Sequence, residues 1–187
     1  MGLFRRKITS DQIIKKMAML GGLVSNSVGV SSSKSKRLIE VEIAIFLYTI
    51  IDRHLVGTNK HKELRIQWYK EIDNLWINVI TENIPSYSNE RINELFDQRI
   101  MNYFKISKEY ESFLGAEHLK ALIEYQTQLI GRIIETGELS TYYPTPKNPS
   151  EHCAIIMDLM LVFSVKNVLI SLYEEPFSKF LKDVIKY

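Results

Sequence analysis

The chain contains one cysteine, Cys153, so it cannot form an intramolecular disulfide. Disulfides belong mainly to oxidising compartments, and the single cysteine therefore favours a cytoplasmic location. Eight glycines and five prolines are too few for a collagen-like or low-complexity chain. With 45% hydrophobic and 25% charged residues over 187 positions, the composition is that of a folded protein with a sizeable core.

The motifs of several enzyme and metalloprotein classes are missing as well. The sequence has no GxxxxGK[ST] or GxGxxG loop, which excludes the usual phosphate cradles of nucleotide-binding proteins. It also lacks HExxH and the paired ExxH motifs of di-metal helical bundles. The sequence therefore predicts no cofactor and no metal site.

Alternating strand patterns and fixed-period repeats are absent, and helical periodicity is present instead. We predict an all-α bundle of six to seven helices. Two helices, at about 36–56 and 149–173, are apolar nearly all round and are predicted to be central. The remaining predicted helices are a basic amphipathic one that starts near Ser10, three at about 59–81, 89–104 and 107–136, and a short one opened by Pro176.

Charge is unevenly distributed along the chain. Residues 1–37 contain eight Lys or Arg and the single acid Asp11, whereas the remaining residues hold more acids than bases. We therefore divide the chain into a basic N-terminal helix with a serine-rich linker, residues 1–35, and a helical bundle domain, residues 36–187. A basic segment of this kind suits an acidic surface, although basic termini also serve solubility alone.

Five basic residues are the candidates for contacting that surface: Arg5, Arg6, Lys7, Lys15 and Lys16. The surface is either an acidic protein partner or an anionic membrane that residues 1–25 would touch peripherally. No apolar run approaches the roughly 18–20 residues that a membrane span requires. The acidic composition of the bundle domain disfavours nucleic-acid binding.

The stretch VGVSSSKSKRL, residues 28–38, allows two interpretations. Aligned on Gly29, it resembles the turn and recognition helix of a helix-turn-helix motif. That motif needs an apolar residue where Ser35 stands, and a serine cluster is a poor helix interior. The sequence therefore favours a linker over a DNA-reading helix.

Several polar residues are candidates for burial. Glu42 and Asp158 interrupt long apolar runs, and a buried carboxylate needs a partner or a shifted pKa. We expect one or both to pair with a base such as Arg53 or with a tyrosine hydroxyl. Asp52, Arg53 and His54 end the first apolar helix, where a cation suits the helix dipole.

Three functions remain open. The favoured one is a non-catalytic α-helical interaction protein that binds a protein partner or itself, with the basic N-terminal arm on an acidic surface. The alternatives are a helical ligand-binding protein similar to those of transcriptional regulators, and an enzyme that uses a buried Asp158 or His54.

Overall fold

The computed structural model describes residues 10–56, 62–109, 116–139, 159–177 and 179–180. These residues form six α-helices and no strand, so the predicted all-α bundle is confirmed. The helices are α1 (Ser10–Ser27), α2 (Ser33–Val56), α3 (Lys62–Asn83), α4 (Asn89–Glu109), α5 (Ala116–Thr136) and α6 (Leu159–Leu172), and a π-helical turn (Tyr173–Phe177) follows α6 directly.

Helix α2 supplies much of the core. All residues from 41 to 49 are buried, and the helix contacts α1, α3, α4 and α5. This environment explains why its sequence is apolar on nearly every side. The other helix predicted to be central, 149–173, is described only from Leu159. That described part buries Val165 and Leu169 but exposes Asn167, so α6 presents one face to solvent there.

Helix α1 packs closely on α2. Its apolar stripe is buried in the common core, and this stripe consists of Ile13, Met17, Leu20 and Val24. A Cβ atom added to Gly21 would lie 2.7 Å from the Cα atom of Glu40 on α2. Glycine therefore allows the two helix backbones to approach one another more closely than any larger residue would permit.

The connection between α1 and α2 is short. Gly29 adopts a left-handed φ of 70°, which ends α1 with a sharp change of direction. Helix α2 begins at Ser33 rather than near Lys36, because the hydroxyl of Ser32 accepts a hydrogen bond from the Ser35 amide. Residues 33 to 35, which are Ser33, Lys34 and Ser35 and were assigned in the sequence to a linker, form the first turn of α2.

Two further boundaries differ from the sequence prediction. Helix α4 continues to Glu109, so Ser107 lies inside it and does not cap the next helix as predicted. Pro176 lies within the π-helical turn after α6, where it was predicted to open a new helix. The predicted start of the second apolar helix, near residue 149, lies outside the described residues.

Candidate functional sites

A buried polar cluster joins four elements of the bundle. Glu42 comes from α2, Arg99 from α4, and Tyr125 and Gln126 from α5, and Tyr173 opens the π-helical turn. The Arg99 Nε and Nη2 atoms both donate to Oε1 of Glu42, at 2.9 and 2.7 Å. The two side chains are each 2% exposed, so this ion pair is almost completely removed from water.

The periodicity of α4 places Arg99 in the core. Ile92, Phe96 and Tyr103 define the buried face of this helix, and Arg99 occupies the same face between the last two. Its guanidinium therefore points toward α2 and α5. Sequence inspection did not select Arg99, but a charged residue on an apolar helical stripe is the signal that could have identified it.

Tyrosine hydroxyls and amides extend the cluster. The Tyr125 hydroxyl accepts hydrogen bonds from Arg99 Nη1 and Asn102 Nδ2, each at 3.0 Å. The Tyr173 hydroxyl donates to Oε1 of Gln126. The Tyr103 ring packs against that of Tyr125 with a centroid distance of 5.3 Å. Helices α2, α4 and α5 and the π-helical turn are thereby linked by polar contacts inside an apolar core.

Burial dominates the electrostatics of the cluster. It raises the pKa of Glu42 above the ordinary carboxyl value, and the Arg99 guanidinium opposes that rise. Burial alone would lower the pKa of Arg99, but the Glu42 carboxylate and the Tyr125 phenol reverse the direction and raise it. Burial also raises the pKa of the Tyr103 phenol. Arg99 is therefore cationic, and the phenol of Tyr103 stays neutral at physiological pH.

A second ion pair lies near the C-terminal end of α2. Asp52 is bound by Arg65 of α3 through both carboxylate oxygens: Nε lies 2.6 Å from Oδ1 and Nη2 lies 2.9 Å from Oδ2. Burial, followed by the charge of Asp52, raises the pKa of the nearby Tyr48 phenol. The side chains of Arg53 and His54 lie outside the described residues. Asp158 also lies outside the described residues. The structure therefore does not describe the side chains of the suggested enzyme site, Asp158 and His54.

Helix α1 presents a face to solvent opposite its buried stripe. Lys15, Lys16, Met19 and Leu23 are exposed on it, and we call these four residues the outer face of α1. Met19 is 50% exposed and Leu23 is 48% exposed, which is high for large apolar side chains. The other three predicted basic contacts, Arg5, Arg6 and Lys7, lie outside the described residues.

A groove adjoins the outer face where α1 meets α6. It has a volume of about 390 Å³. Apolar side chains from both helices dominate its lining, with small polar groups between them: Leu23, Val24, Ser27, Asn167, Val168, Ser171, Leu172 and Pro176. We call it the α1–α6 groove. Leu23 belongs both to this groove and to the outer face of α1, so the two form one continuous surface.

The packing of α1 decides whether its apolar stripe is available to a membrane. The stripe that would have entered a membrane, from Ile13 to Val24, packs instead against the bundle core. Among the described residues of α1, only Met19 and Leu23 remain as large exposed apolar groups. No helix in the described ranges is both long and apolar enough to cross a membrane.

Within the same ranges, no three His, Cys, Asp or Glu residues come together as metal ligands would. Comparison with models of protein families, with curated proteins and with solved structures finds no significant match. The candidate functional sites are therefore the polar cluster, the outer face of α1 and the α1–α6 groove.

Proposed function

We propose that the protein is a non-catalytic helical interaction protein that binds an acidic, amphipathic segment of a partner protein. The outer face of α1 and the α1–α6 groove together form the contact surface. The observation that carries the proposal is the half exposure of Met19 and Leu23 beside this groove. Large apolar groups that a folded chain leaves exposed next to a concave surface are typical of docking sites.

The two lysines on the outer face of α1 favour a partner that carries negative charge. Lys15 and Lys16 stand on α1 one turn before Met19, and Lys15 forms a solvent-exposed ion pair of 2.8 Å with Asp11. An exposed ion pair of this kind contributes little and can be exchanged for a partner's carboxylate. A segment with acids at one end and apolar side chains at the other would therefore match the outer face of α1.

The favoured partner is a protein rather than a lipid bilayer. The four described residues of the outer face carry two apolar side chains, whereas membrane-bound helices bury a broad apolar face. In α1 the broad face is already buried in the core. A helix laid into a groove, with a few anchoring side chains, needs only the smaller apolar surface that α1 offers.

A synthetic peptide tests the proposal directly. The probe is a fluorescein-labelled amphipathic helix with glutamates at one end and leucines at the other, and its anisotropy is titrated with the full chain. We expect binding that weakens as salt is added. Binding to vesicles of phosphatidylcholine and phosphatidylserine, without binding to the peptide, would instead assign the surface to a membrane and overturn the proposal.

Matched substitutions locate the contact. Met19→Ser with Leu23→Ser should weaken peptide binding roughly 30-fold, since each side chain contributes about 1 kcal/mol when its exposed half is buried. The control pair is Ile66→Ser with Met101→Ser, because these side chains are 50% and 53% exposed but lie on α3 and α4. Equal losses in both double variants would argue against a site on α1.

The volume of the groove supports a second candidate, the binding of a small apolar molecule. About 390 Å³ falls within the roughly 300–1,000 Å³ of ligand pockets. This function would correspond to a ligand-binding helical protein of the kind found in transcriptional regulators. Methyl-labelled NMR spectra with an apolar dye test it: shifts confined to Leu23, Val168 and Leu172 support it, and shifts spread over the surface count against it.

A further inference from the structure

Five large apolar or aromatic side chains are exposed in the part of the chain that the structure describes, and they fall on two surfaces. Met19 and Leu23 belong to the outer face of α1. The other three, Ile66, Tyr69 and Met101, are 50%, 38% and 53% exposed and lie on α3 and α4. Exposed apolar groups that gather on one surface are typical of a contact with another molecule. The pair of helices α3 and α4 therefore offers a second candidate surface.

Helices α3 and α4 run antiparallel, which brings their exposed residues together. Near the connection between them, the Trp76 indole donates to the Ile92 carbonyl at 3.0 Å. Farther from the connection, the Tyr69 ring packs on Phe96 with ring centroids 5.6 Å apart. Each step back along α3 thus corresponds to a step forward along α4, so residues before Tyr69 lie beside residues after Phe96.

The exposed surface of this helix pair has an apolar end and an acidic end. Ile66 and Met101 lie at the end farther from the connection, and Asp73 and Asp97 lie together one turn closer to it. The Tyr69 hydroxyl is hydrogen-bonded to the Asp97 carboxylate. Burial, followed by the charge of Asp97, raises the pKa of Asp73, so the two carboxylates are close enough to repel each other. We call these five residues the α3–α4 face.

The outer face of α1 has the same layout with the opposite charge. Lys15, Met19 and Leu23 recur every four residues, so this row extends about 12 Å along the helix. The α3–α4 face covers a similar length, about 10 Å from Ile66 to Asp73. When α1 lies antiparallel to α3, its lysine end meets the acidic end of that face and the two apolar ends meet each other.

We propose that the outer face of α1 binds the α3–α4 face of a second copy of this chain. The inference rests on the proposed function and specifies its acidic, amphipathic partner. The lysine end of one copy relieves the repulsion between the two carboxylates of the next, and the contact covers all five exposed apolar side chains. The two surfaces are unlike, so each copy carries one of each and the contact is head-to-tail.

Sedimentation velocity of the full chain tests self-association. Over a dilution series up to millimolar concentration, we expect the mean sedimentation coefficient to rise with concentration. The rise should shrink when sodium chloride is added, because salt screens exposed charges. A coefficient that remains that of the monomer over the whole series would overturn the proposal.

Charge reversal identifies the two surfaces. Lys15→Glu with Lys16→Glu, and separately Asp73→Lys with Asp97→Lys, should each weaken self-association about tenfold or more, because like charges then face each other. An equimolar mixture of the two variants should associate again, since each altered face finds a complementary face on the other protein. A mixture that stays monomeric contradicts the proposal.

A matched control excludes an effect of net charge alone. Glu82→Lys with Glu135→Lys reverses two exposed acids that lie outside both faces, on α3 and α5. This control should self-associate like the wild type. Mixed with the lysine-reversed variant, it should not restore association, although it carries the same added charge as the aspartate-reversed variant. Restoration by the control would mean that bulk charge drives the mixing result, and would count against the two faces.

An apolar variant separates this inference from the proposed function. Ile66→Ser with Met101→Ser should weaken self-association about tenfold but bind the acidic peptide probe like the wild type. This variant also decides the matter if the aspartate-reversed protein does not fold, since undiminished self-association in it would overturn the inference. Peptide binding by a chain that never self-associates would leave the proposed function standing and remove this inference alone, whereas failure in both assays would remove both.

Discussion

Helix α2 carries two carboxylates that pair with arginines of different helices, and the two pairs differ in environment. The Asp52 pair lies toward the end of the helix, and its arginine, Arg65, is 27% exposed. The Glu42 pair lies in the core, where Arg99 is 2% exposed. Arg65 engages both oxygens of Asp52, whereas Arg99 engages one oxygen of Glu42.

Burial changes what the same carboxylate–arginine pairing contributes to stability. A partly exposed ion pair contributes little to the free energy of unfolding because water already solvates its charges. Breaking such a pair therefore costs little stability. A buried pair has given up nearly all hydration, so each charge depends on the other and on the surrounding polar groups. Glu42 and Arg99 are therefore expected to make the bundle intolerant of single changes, while Asp52 and Arg65 contribute a smaller local constraint.

The largest expected effect follows removal of the buried guanidinium. Arg99→Met should lower the free energy of unfolding by about 3–5 kcal/mol, because it leaves the Glu42 carboxylate buried without its cation. Urea denaturation followed by circular dichroism measures the change. A loss below about 1 kcal/mol would mean that the Glu42 pair contributes no more to stability than the partly exposed Asp52 pair, and the contrast between them would disappear.

Replacing both members of the buried pair should restore much of that loss. In Glu42→Met with Arg99→Met neither charge of this pair remains, and apolar side chains of similar size fill the space. We expect the double variant to be more stable than Arg99→Met alone by about 2 kcal/mol or more. If the double variant is instead the less stable of the two, the hydrogen bonds to Tyr125 and its neighbours, and not the charge, dominate the cluster.

The fold could be predicted from the sequence more completely than the buried polar cluster. Helical periodicity and the absence of strand patterns predict the bundle, since these are local properties of the chain. The start of α2 at Ser33 was missed because a serine cluster has low helix propensity, and tertiary contacts override it. The Ser35 hydroxyl, for example, donates to the Ile133 carbonyl of α5 at 3.4 Å.

Only one residue of the polar cluster, Glu42, could be predicted from the sequence. It can be selected because it interrupts an apolar run, and this pattern involves only residues that are close in sequence. Its partner is 57 positions away on α4, and no local pattern couples two helices so distant in sequence. Arg99 is identifiable as an unusual charge on the buried stripe of α4, but its pairing with Glu42 depends on the packing of three helices.

The pH dependence of stability gives an independent measure of how burial acts on Glu42. Its pKa in the folded state is raised, chiefly by desolvation and against the effect of Arg99. The folded state then holds the carboxyl proton more tightly than the unfolded state, for which the pKa is about 4.3. The contribution of Glu42 to stability is therefore greatest at low pH and declines as the pH rises through the folded value.

Glu42→Gln isolates that contribution, since glutamine does not titrate. We expect the stability of the wild type relative to Glu42→Gln to fall as the pH is raised from about 4.3. Urea unfolding of both proteins over a series of pH values measures the difference. A relative stability that increases with pH would mean that Arg99 outweighs desolvation, and Glu42 would then behave as an ordinary ion-paired carboxylate.

The smallest expected effect concerns the Asp52 pair, in which the carboxylate is 7% exposed and the arginine is 27% exposed. Arg65→Met should cost about 1 kcal/mol, because the guanidinium is partly exposed and water can take its place beside the buried Asp52 carboxylate. The effect should shrink further in high salt, which screens a partly exposed pair more than a buried one. Chemical denaturation at low and high sodium chloride checks both points. A loss as large as that of Arg99→Met would show that the two oxygens bound by Arg65 matter more than its exposure, and that geometry rather than burial separates the two pairs.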